Sequence, residues 1–576
     1  MRRRGRIAAA LLALAVALAG CSGLPTSGSV NPGLSADEVP EHDFLYYPEG
    51  PAPAASPEQI VQGFVEAATS PAGDWATARE FLTPDFAAEW EPGSHVAIDA
   101  TSAREYDASA LETDGVVALQ ISQIASVDAR GVYGTATDRE QELQYGLVQR
   151  EDGEWRIAQA PAGIVLDRDY FPNVYSDFTL TFYDPSQRYL VPDVRWFPEA
   201  STGPTRLVAE LLRGPSAALE GAVTTAFPSG AQLADGTVIA LDDSGVADIA
   251  LRGIAADVDG SIVSRMRAQA TATLSSLGAQ GVRLRVGGIE LSAEEYDPLP
   301  TGPDSRALVL GGEPYDDAFG FLASGEILGI EGLSEAMRSS AVPQPLSISV
   351  AQDRESAILR GTNGAVVRVG SDGTVLLLDD RDDLLEPALD PDGYTWTLPG
   401  GAPDQLRAIG PDGAVALSTA MPRSEEMTVA GVQSIAVSRD GTRLAALVTT
   451  AGGASWAIVA PISRDGDGTP TGVGAASVLA VLDGPGVDVE WLDDSSIGVV
   501  ARDGTEIEIL EQRIGGPGTR MSAPADVGGI AAGTQDSSMR LIDSTGGLHV
   551  RRGSAWVKVA DGIAVLATDV GAPRSE

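Results

Sequence analysis

The segment SIAVSRDGTRLAALV, residues 434–448, determines the fold of the C-terminal half of the chain. It contains an apolar strand, a turn with Asp440 and Gly441, and a second apolar strand. Asp-Gly suits a tight hairpin, because glycine adopts a positive φ at no steric cost and the Asp side chain accepts local backbone hydrogen bonds. The segment therefore predicts an antiparallel β-hairpin.

Four further segments repeat this strand–turn–strand pattern, and an acid lies in every turn. The segments are residues 347–361, 387–398, 488–504 and 529–543. The turn acids are Asp353, Asp392, Asp440, Asp494 and Asp536. Repeats roughly 40 to 50 residues apart, each built from four short strands, are typical of propeller blades. Residues 299–576 are therefore predicted to form an all-β propeller domain.

The two ends of this region predict how the propeller closes. Residues 562–569 repeat the inner-strand pattern but have no partner strands after them. Residues 307–310 and the hairpin at 319–330 are strands with no inner strand before them. Joined, the two ends would complete one blade and remove exposed sheet edges. We therefore predict six blades, with five or seven as the alternatives.

The start of the chain predicts export. A basic head, Arg2 to Arg6, precedes an apolar run over residues 7–20 and then Cys21, the single cysteine of the chain. A run of about 14 residues is shorter than the roughly 20 needed to span a bilayer. This pattern is typical of a secretory signal peptide, which we assign to residues 1–20.

The residues around the predicted cleavage site indicate lipid attachment. The sequence LAGC at 18–21 resembles a bacterial lipobox. That resemblance implies cleavage between Gly20 and Cys21, an S-diacylglyceryl group on the Cys21 thiol and acylation of the new amine. A free cysteine after an ordinary signal peptide is the alternative. Residues 21–55, rich in Pro, Gly and Ser, are predicted to be the lipidated tether.

Composition narrows the classes of partner. The formal net charge is −42. A surface this acidic repels nucleic acid and anionic lipid headgroups, so no nucleic-acid partner is expected. Membrane attachment is therefore expected to come from acyl chains and not from a basic patch.

The first folded domain is predicted over residues 56–172. Ser56 and Gln59 fit a helix-capping box, and an apolar helical face follows. Alternating strand patterns come next, with a hairpin turn at 151–154. Two helices followed by a curved antiparallel sheet resemble the NTF2-like α+β cone. His95 is interpreted as a solvated loop histidine.

The second domain is predicted over residues 173–298. Strands are expected at 178–183, 190–197 and 237–241, and a helix is expected to end at Gly214-Pro215. The strings LVAELLRGP (207–215), AFPSGAQL (226–233) and GVADIAL (245–251) resemble a GerMN domain. This resemblance implies an α/β module that binds and does not catalyse. The overall fold class is thus multi-domain, α+β followed by all-β.

No catalytic motif emerges from the sequence. The three histidines, His42, His95 and His549, lie in three different regions, and no nucleophile elbow, phosphate loop or zinc motif is present. We therefore predict no catalytic residues, no metal and no cofactor, and a protein that is not an enzyme.

Three other features have competing interpretations. Asp465-Gly466-Asp467-Gly468 invites a calcium site, but a solvated turn is favoured because the distant Glu of an EF-hand is missing. Residues 379–383 are interpreted as an acidic loop. Blade core is favoured over a sugar platform for three tryptophans, Trp456, Trp491 and Trp556.

The order of lipobox, tether, cone, GerMN domain and propeller is similar to that of the actinobacterial lipoprotein LpqB family. Membership implies a lipid-anchored protein on the extracytoplasmic face of the cell membrane. It also implies an accessory role in the MtrA–MtrB two-component system, through the extracytoplasmic domain of the sensor histidine kinase MtrB. A solute- or cell-wall-glycan-binding lipoprotein is the alternative, and an envelope hydrolase with a carboxylate pair is a third option. The short Pro-bearing connector at 291–305 predicts that the second and third domains pack rigidly together.

Overall fold

The computed structural model describes most of the chain beyond residue 47. The described ranges are 48–100, 104–137, 140–198, 203–294, 306–313, 315–323, 325–422, 427–533 and 539–570. Gly20, Cys21, His42 and the tether up to residue 47 lie outside these ranges, as does Asp536. Residues 48–576 form one compact unit.

The N-terminal domain packs short helices on a curved sheet. Its strand order is β6–β5–β3–β1–β7, with β2 and β4 also paired to β3. The β1–β7 pair is parallel and the other pairs are antiparallel. The elements are α1 (Pro57–Ala67), α2 (Ala72–Arg79), α3 (Pro84–Glu89), β1 (His95–Asp99), β2 (Glu105–Asp107), α4 (Leu111–Asp114), β3 (Val116–Asp128), β4 (Tyr133–Thr135), β5 (Glu140–Gln149), β6 (Trp155–Gln159) and β7 (Ile164–Asp167).

Helix α1 has the predicted start and the predicted buried face. The Ser56 hydroxyl accepts from the Gln59 backbone N–H, and the Gln59 side chain accepts from the Ser56 N–H, which completes the capping box. Ile60, Val61 and Phe64 on the apolar face are buried in the domain core. The hairpin predicted at 151–154 joins β5 to β6.

The GerMN domain combines a hairpin, two main helices and a four-stranded sheet of order β10–β11–β12–β13. Strands β11 and β12 are parallel, and helix α7 packs on both β8 and β12. The elements are α5 (Phe171–Val174), β8 (Tyr175–Tyr183), β9 (Leu190–Pro198), α6 (Pro204–Arg213), β10 (Gln232–Leu233), β11 (Val246–Arg252), α7 (Gly260–Leu274), β12 (Gly281–Val286) and β13 (Ile289–Glu290).

One predicted strand of this domain is wrong. Residues 237–241 form only an isolated bridge between Leu241 and Ala247. The Ile239 N–H donates to the Thr205 hydroxyl at 2.8 Å, in the first turn of α6, and therefore cannot pair with a strand. Val238 is 83% exposed, so the apolar pattern does not mark a buried strand here.

Within the described residues the propeller consists of six blades of radially stacked strands. Blade one contains β38, β14, β15 and β16; blades two, three, four, five and six contain β17–β20, β21–β24, β25–β29, β30–β33 and β34–β37. The elements are β14 (Arg306–Gly311), β15 (Phe319–Ala323), β16 (Glu326–Gly329), α8 (Leu333–Ala336), β17 (Pro345–Val350), β18 (Ser356–Gly361), β19 (Val366–Gly370), β20 (Val375–Asp379), β21 (Ala388–Leu389), β22 (Thr395–Thr397), β23 (Leu406–Ile409), β24 (Val415–Thr419), β25 (Val429–Val437), β26 (Arg443–Thr450), β27 (Ser455–Arg464), β28 (Pro470–Val473), β29 (Ser477–Leu482), β30 (Gly486–Trp491), β31 (Ser496–Asp503), β32 (Glu506–Arg513), β33 (Gly518–Ser522), β34 (Val527–Ala531), β35 (Arg540–Asp543), β36 (Leu548–Arg552), β37 (Ala555–Ala560) and β38 (Ile563–Asp569).

The ring closes as predicted, by joining the two ends of the domain. Strand β38 pairs antiparallel with β14 from Arg306–Asp569 to Gly311–Ile563. It also forms a short parallel bridge to β17. The inner strands β17, β21, β25, β30, β34 and β38 each contact the next around the ring. The prediction of six blades is therefore confirmed.

The turn acids lie where the repeat predicts them, between the first and second strands of their blades. This holds for Asp353, Asp392, Asp440 and Asp494. Asp440 is buried and accepts hydrogen bonds from Ser438 and Thr442 while pairing with Arg443 at 2.8 Å. Asp353 likewise accepts from the Glu355 N–H, whereas in blades three and five the neighbouring acids Asp390 and Asp493 accept from the turn N–H groups.

Direct contacts join the domains. The Thr135 hydroxyl of the N-terminal domain donates to the Leu479 carbonyl of blade four at 2.7 Å. Arg513 of blade five pairs with Asp177 of the GerMN domain at 2.6 Å. A cavity of about 320 Å³ lies at this junction and is lined by residues of all three domains. The predicted packing of the GerMN domain against the propeller is therefore present in the structure.

None of the helices in the described ranges is long and apolar enough to cross a membrane.

Candidate functional site

The propeller encloses a channel along its axis. All six inner strands, or the residues beside them, line a cavity of about 340 Å³. Cavities of this size lie at the lower end of the range that holds small organic ligands. We refer to this cavity as the channel.

Two channel acids come from one inner strand. On β30, Asp488 and Glu490 alternate with Val489 and Trp491, and both apolar partners are buried between blades. Alternation along a strand places residues two apart on the same face. Core packing of the apolar pair therefore turns both acids toward the channel that they line.

Donors from neighbouring blades and from β30 itself hold these two carboxylates. Asp488 accepts from the Ser434 hydroxyl at 3.0 Å and from the Ile530 N–H at 2.9 Å. Glu490 accepts from the Trp491 N–H at 2.8 Å and from the Thr568 hydroxyl on β38 at 3.0 Å. These two side chains thus link the inner strands of blades one, four, five and six.

The third channel acid, Glu386, has a different environment. It lies just before β21 and is exposed, although its surroundings are the walls of the channel. Within the described residues no hydrogen bond or ion pair holds its carboxylate. Its charge is therefore offset only by channel solvent and by more distant groups.

Enclosure raises the pKa values of all three acids. Desolvation and the nearby carboxylate of Asp488 raise the pKa of Glu386 to about 8, against a smaller opposing effect of Arg360. Desolvation likewise raises the pKa of Glu490 to about 7, although Arg439 acts to lower it. The pKa of Asp488 is raised by burial too. Because Glu386 is still in contact with solvent, its shift reflects enclosure by the walls and by like charge.

Arg439 is the buried cation nearest to these acids, but its donors are engaged elsewhere. It is 5% exposed and donates to the carbonyl oxygens of Trp491, Leu492 and Ala532 at 2.7–3.1 Å. Burial lowers the pKa of Arg439. This side chain fastens blades four, five and six to one another and makes no ion pair with a channel acid.

The other residues singled out from the sequence lie away from the channel. His95 begins strand β1 and is not in a loop, so that interpretation is wrong; burial lowers its pKa. His549 on β36 contacts Asp543 at 2.8 Å. The Asp465 carboxylate accepts from the N–H groups of Asp467 and Thr469, as expected for a turn.

Residues 380–383 of the acidic segment lie in a loop, as predicted, but Asp379 ends strand β20. Asp379 is buried and pairs with Arg381 at 2.6 Å while accepting from Thr397. Trp456 and Trp491 are buried in blade cores, and Trp556 is partly buried against a blade core while its indole N–H donates to the Ser522 carbonyl oxygen. Across the described ranges no three His, Cys, Asp or Glu side chains are placed to hold a metal ion.

The channel acids were not predicted from the sequence. A signal was present in the string DVEW at 488–491, because two acids alternate with two large apolar residues on a predicted inner strand. Glu386 carries no comparable signal, since it precedes a strand of only two residues.

The fold and the channel define a class of protein: a multi-domain chain in which an α+β domain and a GerMN domain precede a six-bladed propeller. Three family models match it. Residues 50–172 match "Lipoprotein LpqB, N-terminal domain", residues 170–292 match "Sporulation and spore germination", and residues 325–566 match "Lipoprotein LpqB beta-propeller domain". The chain belongs to the LpqB lipoprotein family.

Relatives extend this likeness along the whole chain. Lipoprotein LpqB of Streptomyces coelicolor is 28% identical over 98% of this chain and 98% of its own. Lipoprotein LpqB of Rhodococcus opacus is 26% identical over 91% of this chain and 89% of its own. Among solved structures, TolB from Acinetobacter baumannii is 14% identical, with a TM-score of 0.33, over 56% of this chain and 74% of that one. The fold assignment rests on the strand pairing and the family, since a TM-score this low carries no weight.

Proposed function

We propose that this chain is a non-enzymatic regulator of the MtrA–MtrB two-component system and contacts the extracytoplasmic domain of the sensor kinase MtrB. This proposal is supported by the direct contacts that join the three domains to one another. The Trp196 ring packs against Tyr133 of the first domain, and its indole N–H donates to the carbonyl oxygen of Gly515 of the propeller. Domains joined by such contacts can present a fixed surface to a partner. Movement of one domain can then also move the next.

Lipid attachment at Cys21 would hold this body at the extracytoplasmic face of the cell membrane. Membership in a lipoprotein family supports the proposal. The acidic net charge of −42 supports it too, because a chain this acidic is not held by anionic headgroups. Two or more acyl chains make such an anchor stable, whereas one gives only reversible binding.

A binding role is also favoured over catalysis by the engagement of the channel acids. Both carboxylates of β30 accept hydrogen bonds from donors in the channel wall. A general acid or base must instead offer an oxygen to the substrate. Glu386 alone has that freedom, and one carboxylate does not make the pair that glycoside hydrolysis uses.

The test is binding between residues 22–576, which are the mature chain without its lipidated Cys21, and the extracytoplasmic domain of MtrB, measured by biolayer interferometry. We expect a dissociation constant in the micromolar range or tighter. Trp196→Ala should weaken the interaction by loosening the body, whereas Glu506→Gln, which removes an exposed acid on β32, should leave it unchanged. Absence of binding at micromolar concentrations of both partners would remove the proposal.

A second candidate function, solute or cell-wall-glycan binding, is favoured by one specific observation. The channel contains a carboxylate, Glu386, that no described residue engages. A muropeptide that raises the melting temperature of the mature chain, and no longer does so in Glu386→Gln, would support it. A response that is equal in both proteins would place the glycan elsewhere.

A further inference from the structure

We propose that the propeller channel binds an organic cation bearing one or more ammonium groups, with Glu386 as its principal contact and Asp488 and Glu490 as the surrounding charge. The inference rests on the second candidate function and is independent of any contact with the kinase. It names the chemical class of the solute.

The first argument is the charge inside the channel. Three acids line it, and neither Arg439, which also lines it, nor Arg360 forms an ion pair with them among the described residues. Arg439 donates to Trp491, Leu492 and Ala532, and Arg360 donates to the Leu384 carbonyl. Enclosing a negative charge without a paired cation costs free energy. A bound cation would therefore provide the ion-pair partner that the protein's own arginines do not provide.

The second argument comes from polar atoms on the same walls. The Ser347 hydroxyl lines the channel, is in a residue only 7% exposed, and has no hydrogen-bond partner among the described atoms. The buried Oε1 of Gln433, also in the lining, has no donor either, although its Nε2 donates to Thr449. Unsatisfied buried acceptors destabilise a fold unless a ligand or water supplies the missing donors.

An ammonium group matches both features. It is positively charged, it carries three donors and no acceptor, and its hydrogen bonds to carboxylates are charge-assisted and short. The same donors suit the free oxygens of Ser347 and Gln433 at the wall.

A metal ion fits less well. Metals require several oxygen ligands within about 2.6 Å. In the described part of the chain no such group of acids is assembled. The channel volume of about 340 Å³ also exceeds what a single ion fills, whereas a small organic molecule of several heavy atoms suits it.

The experiment uses the mature chain with 1,5-diaminopentane as the probe. The neutral isostere 1,5-pentanediol and calcium chloride serve as comparison ligands. Melting temperature is followed by intrinsic fluorescence, and affinity by calorimetry, at about pH 8 and about pH 6. We expect the diamine to raise the melting temperature and the diol to leave it unchanged.

Lowering the pH should weaken binding of the diamine. The charged groups that act on Glu386 are Asp488 and Glu490 on β30 and Arg360 on β18, and Arg439 also lines the channel. Lowering the pH protonates the acids of this set, whereas the diamine and Arg360 stay charged, so protons and the diamine compete. Binding is therefore expected to be tighter at about pH 8 than at about pH 6, with proton release on binding.

Two variants distinguish binding at this site from a general electrostatic attraction of the diamine to an acidic protein. Glu386→Gln removes the free carboxylate without removing a hydrogen bond, so it should fold and should bind the diamine about tenfold or more weakly. Glu506→Gln removes the same charge at an exposed position on β32 and should bind like the parent chain.

Several results would overturn the proposal. These are an equal response to the diol, a Glu386-dependent response to calcium in place of the diamine, equal affinities of the two variants, or no response to about 10 mM diamine. If a muropeptide raises the melting temperature and the diamine does not, the chain binds a solute, but the proposal that the solute is an ammonium compound is wrong. Kinase binding, measured separately, is unaffected by either outcome.

Discussion

The indole Nε1 of Trp196 donates a 2.8 Å hydrogen bond to the carbonyl oxygen of Gly515. Trp196 lies on β9 of the GerMN domain, and Gly515 follows β32 of blade five. The centre of the same ring lies 5.0 Å from that of Phe171 and 6.3 Å from that of Tyr133. One side chain therefore contacts all three domains.

Loss of this ring should loosen the body. Trp196→Ala is expected to lower the free energy of unfolding by about 3 kcal/mol, because a large buried side chain is removed. Trp196→Phe keeps most of the ring and should cost about 1 kcal/mol through the lost hydrogen bond. Calorimetry should show the single transition of the parent chain separating into two in Trp196→Ala.

A matched control is Trp556→Phe, since Trp556 donates to Ser522 within the propeller. It should leave the number of transitions unchanged. An unaltered unfolding profile for Trp196→Ala would mean that other contacts join the domains, among them Arg513–Asp177.

Removal of the last strand should open the propeller. Deleting residues 562–576 removes β38, so within the described residues β14 keeps only β15 as a paired strand and β17 keeps only β18. We expect broad, weakly cooperative unfolding and rapid cleavage within residues 306–330 in limited proteolysis, because exposed strand edges are local weak points. Deleting residues 571–576 alone should change neither measurement.

The hydrogen bonds from Arg439 to carbonyl oxygens should contribute more to the free energy of unfolding than the ion pair of a surface arginine. Arg439→Met leaves three carbonyl oxygens, on Trp491, Leu492 and Ala532, without their donors. We expect a loss of about 3 kcal/mol or more in urea unfolding, since each unsatisfied buried acceptor costs about 1–3 kcal/mol. Arg520→Met, at an exposed pair with Asp483, should cost less than about 1 kcal/mol. Equal losses would contradict this account.

The channel acids should make stability fall as the pH rises. The pKa of Glu386 is raised to about 8 and that of Glu490 to about 7, from an ordinary value of 4.5. Between the ordinary and the raised value the unfolded chain has lost protons that the folded chain keeps, so ionisation favours unfolding. Stability should therefore decline from about pH 4.5 to about pH 8. Glu386→Gln should flatten this decline and raise the melting temperature at about pH 8, whereas Glu506→Gln should follow the parent curve.

The lipid anchor is tested by removing its sulfur. Cys21→Ser cannot form a thioether, so labelling of the protein with radioactive palmitate should disappear. The variant should also move from the membrane fraction to the soluble fraction or remain as an uncleaved precursor. The parent chain, expressed in parallel, should label and sediment with membranes. Undiminished labelling of the serine variant would rule out Cys21 as the acylated residue.

Local chemistry explains what could be predicted from the sequence. The Ser56–Gln59 capping box and the turn at Asp440 depend on residues a few positions apart, and both are present in the structure. The closing blade was predictable because each end of the domain carried strands without a complement, and pairing of β14 with β38 satisfies both.

The parts that were missed depend on residues brought together from distant positions. Glu386 and Asp488 act on one another only after the ring has closed, and no local pattern links them. Trp196 and Gly515 are 319 positions apart in sequence. The strand predicted at 237–241 had suitable side chains, but Thr205 takes the Ile239 N–H that a strand would have used.

The closure of the ring by its last strand also has a kinetic consequence. During synthesis and export the chain emerges from its N-terminal end, so β14 is released long before β38 exists as its partner. Contacts between residues as remote as Arg306 and Asp569 form slowly, because a long loop must close first. In that interval the apolar β14 presents an open edge, and a nascent chain is then most vulnerable to aggregation and to proteolysis. A chain truncated before residue 563 lacks the strand that completes its first blade, so its β14 edge would stay open.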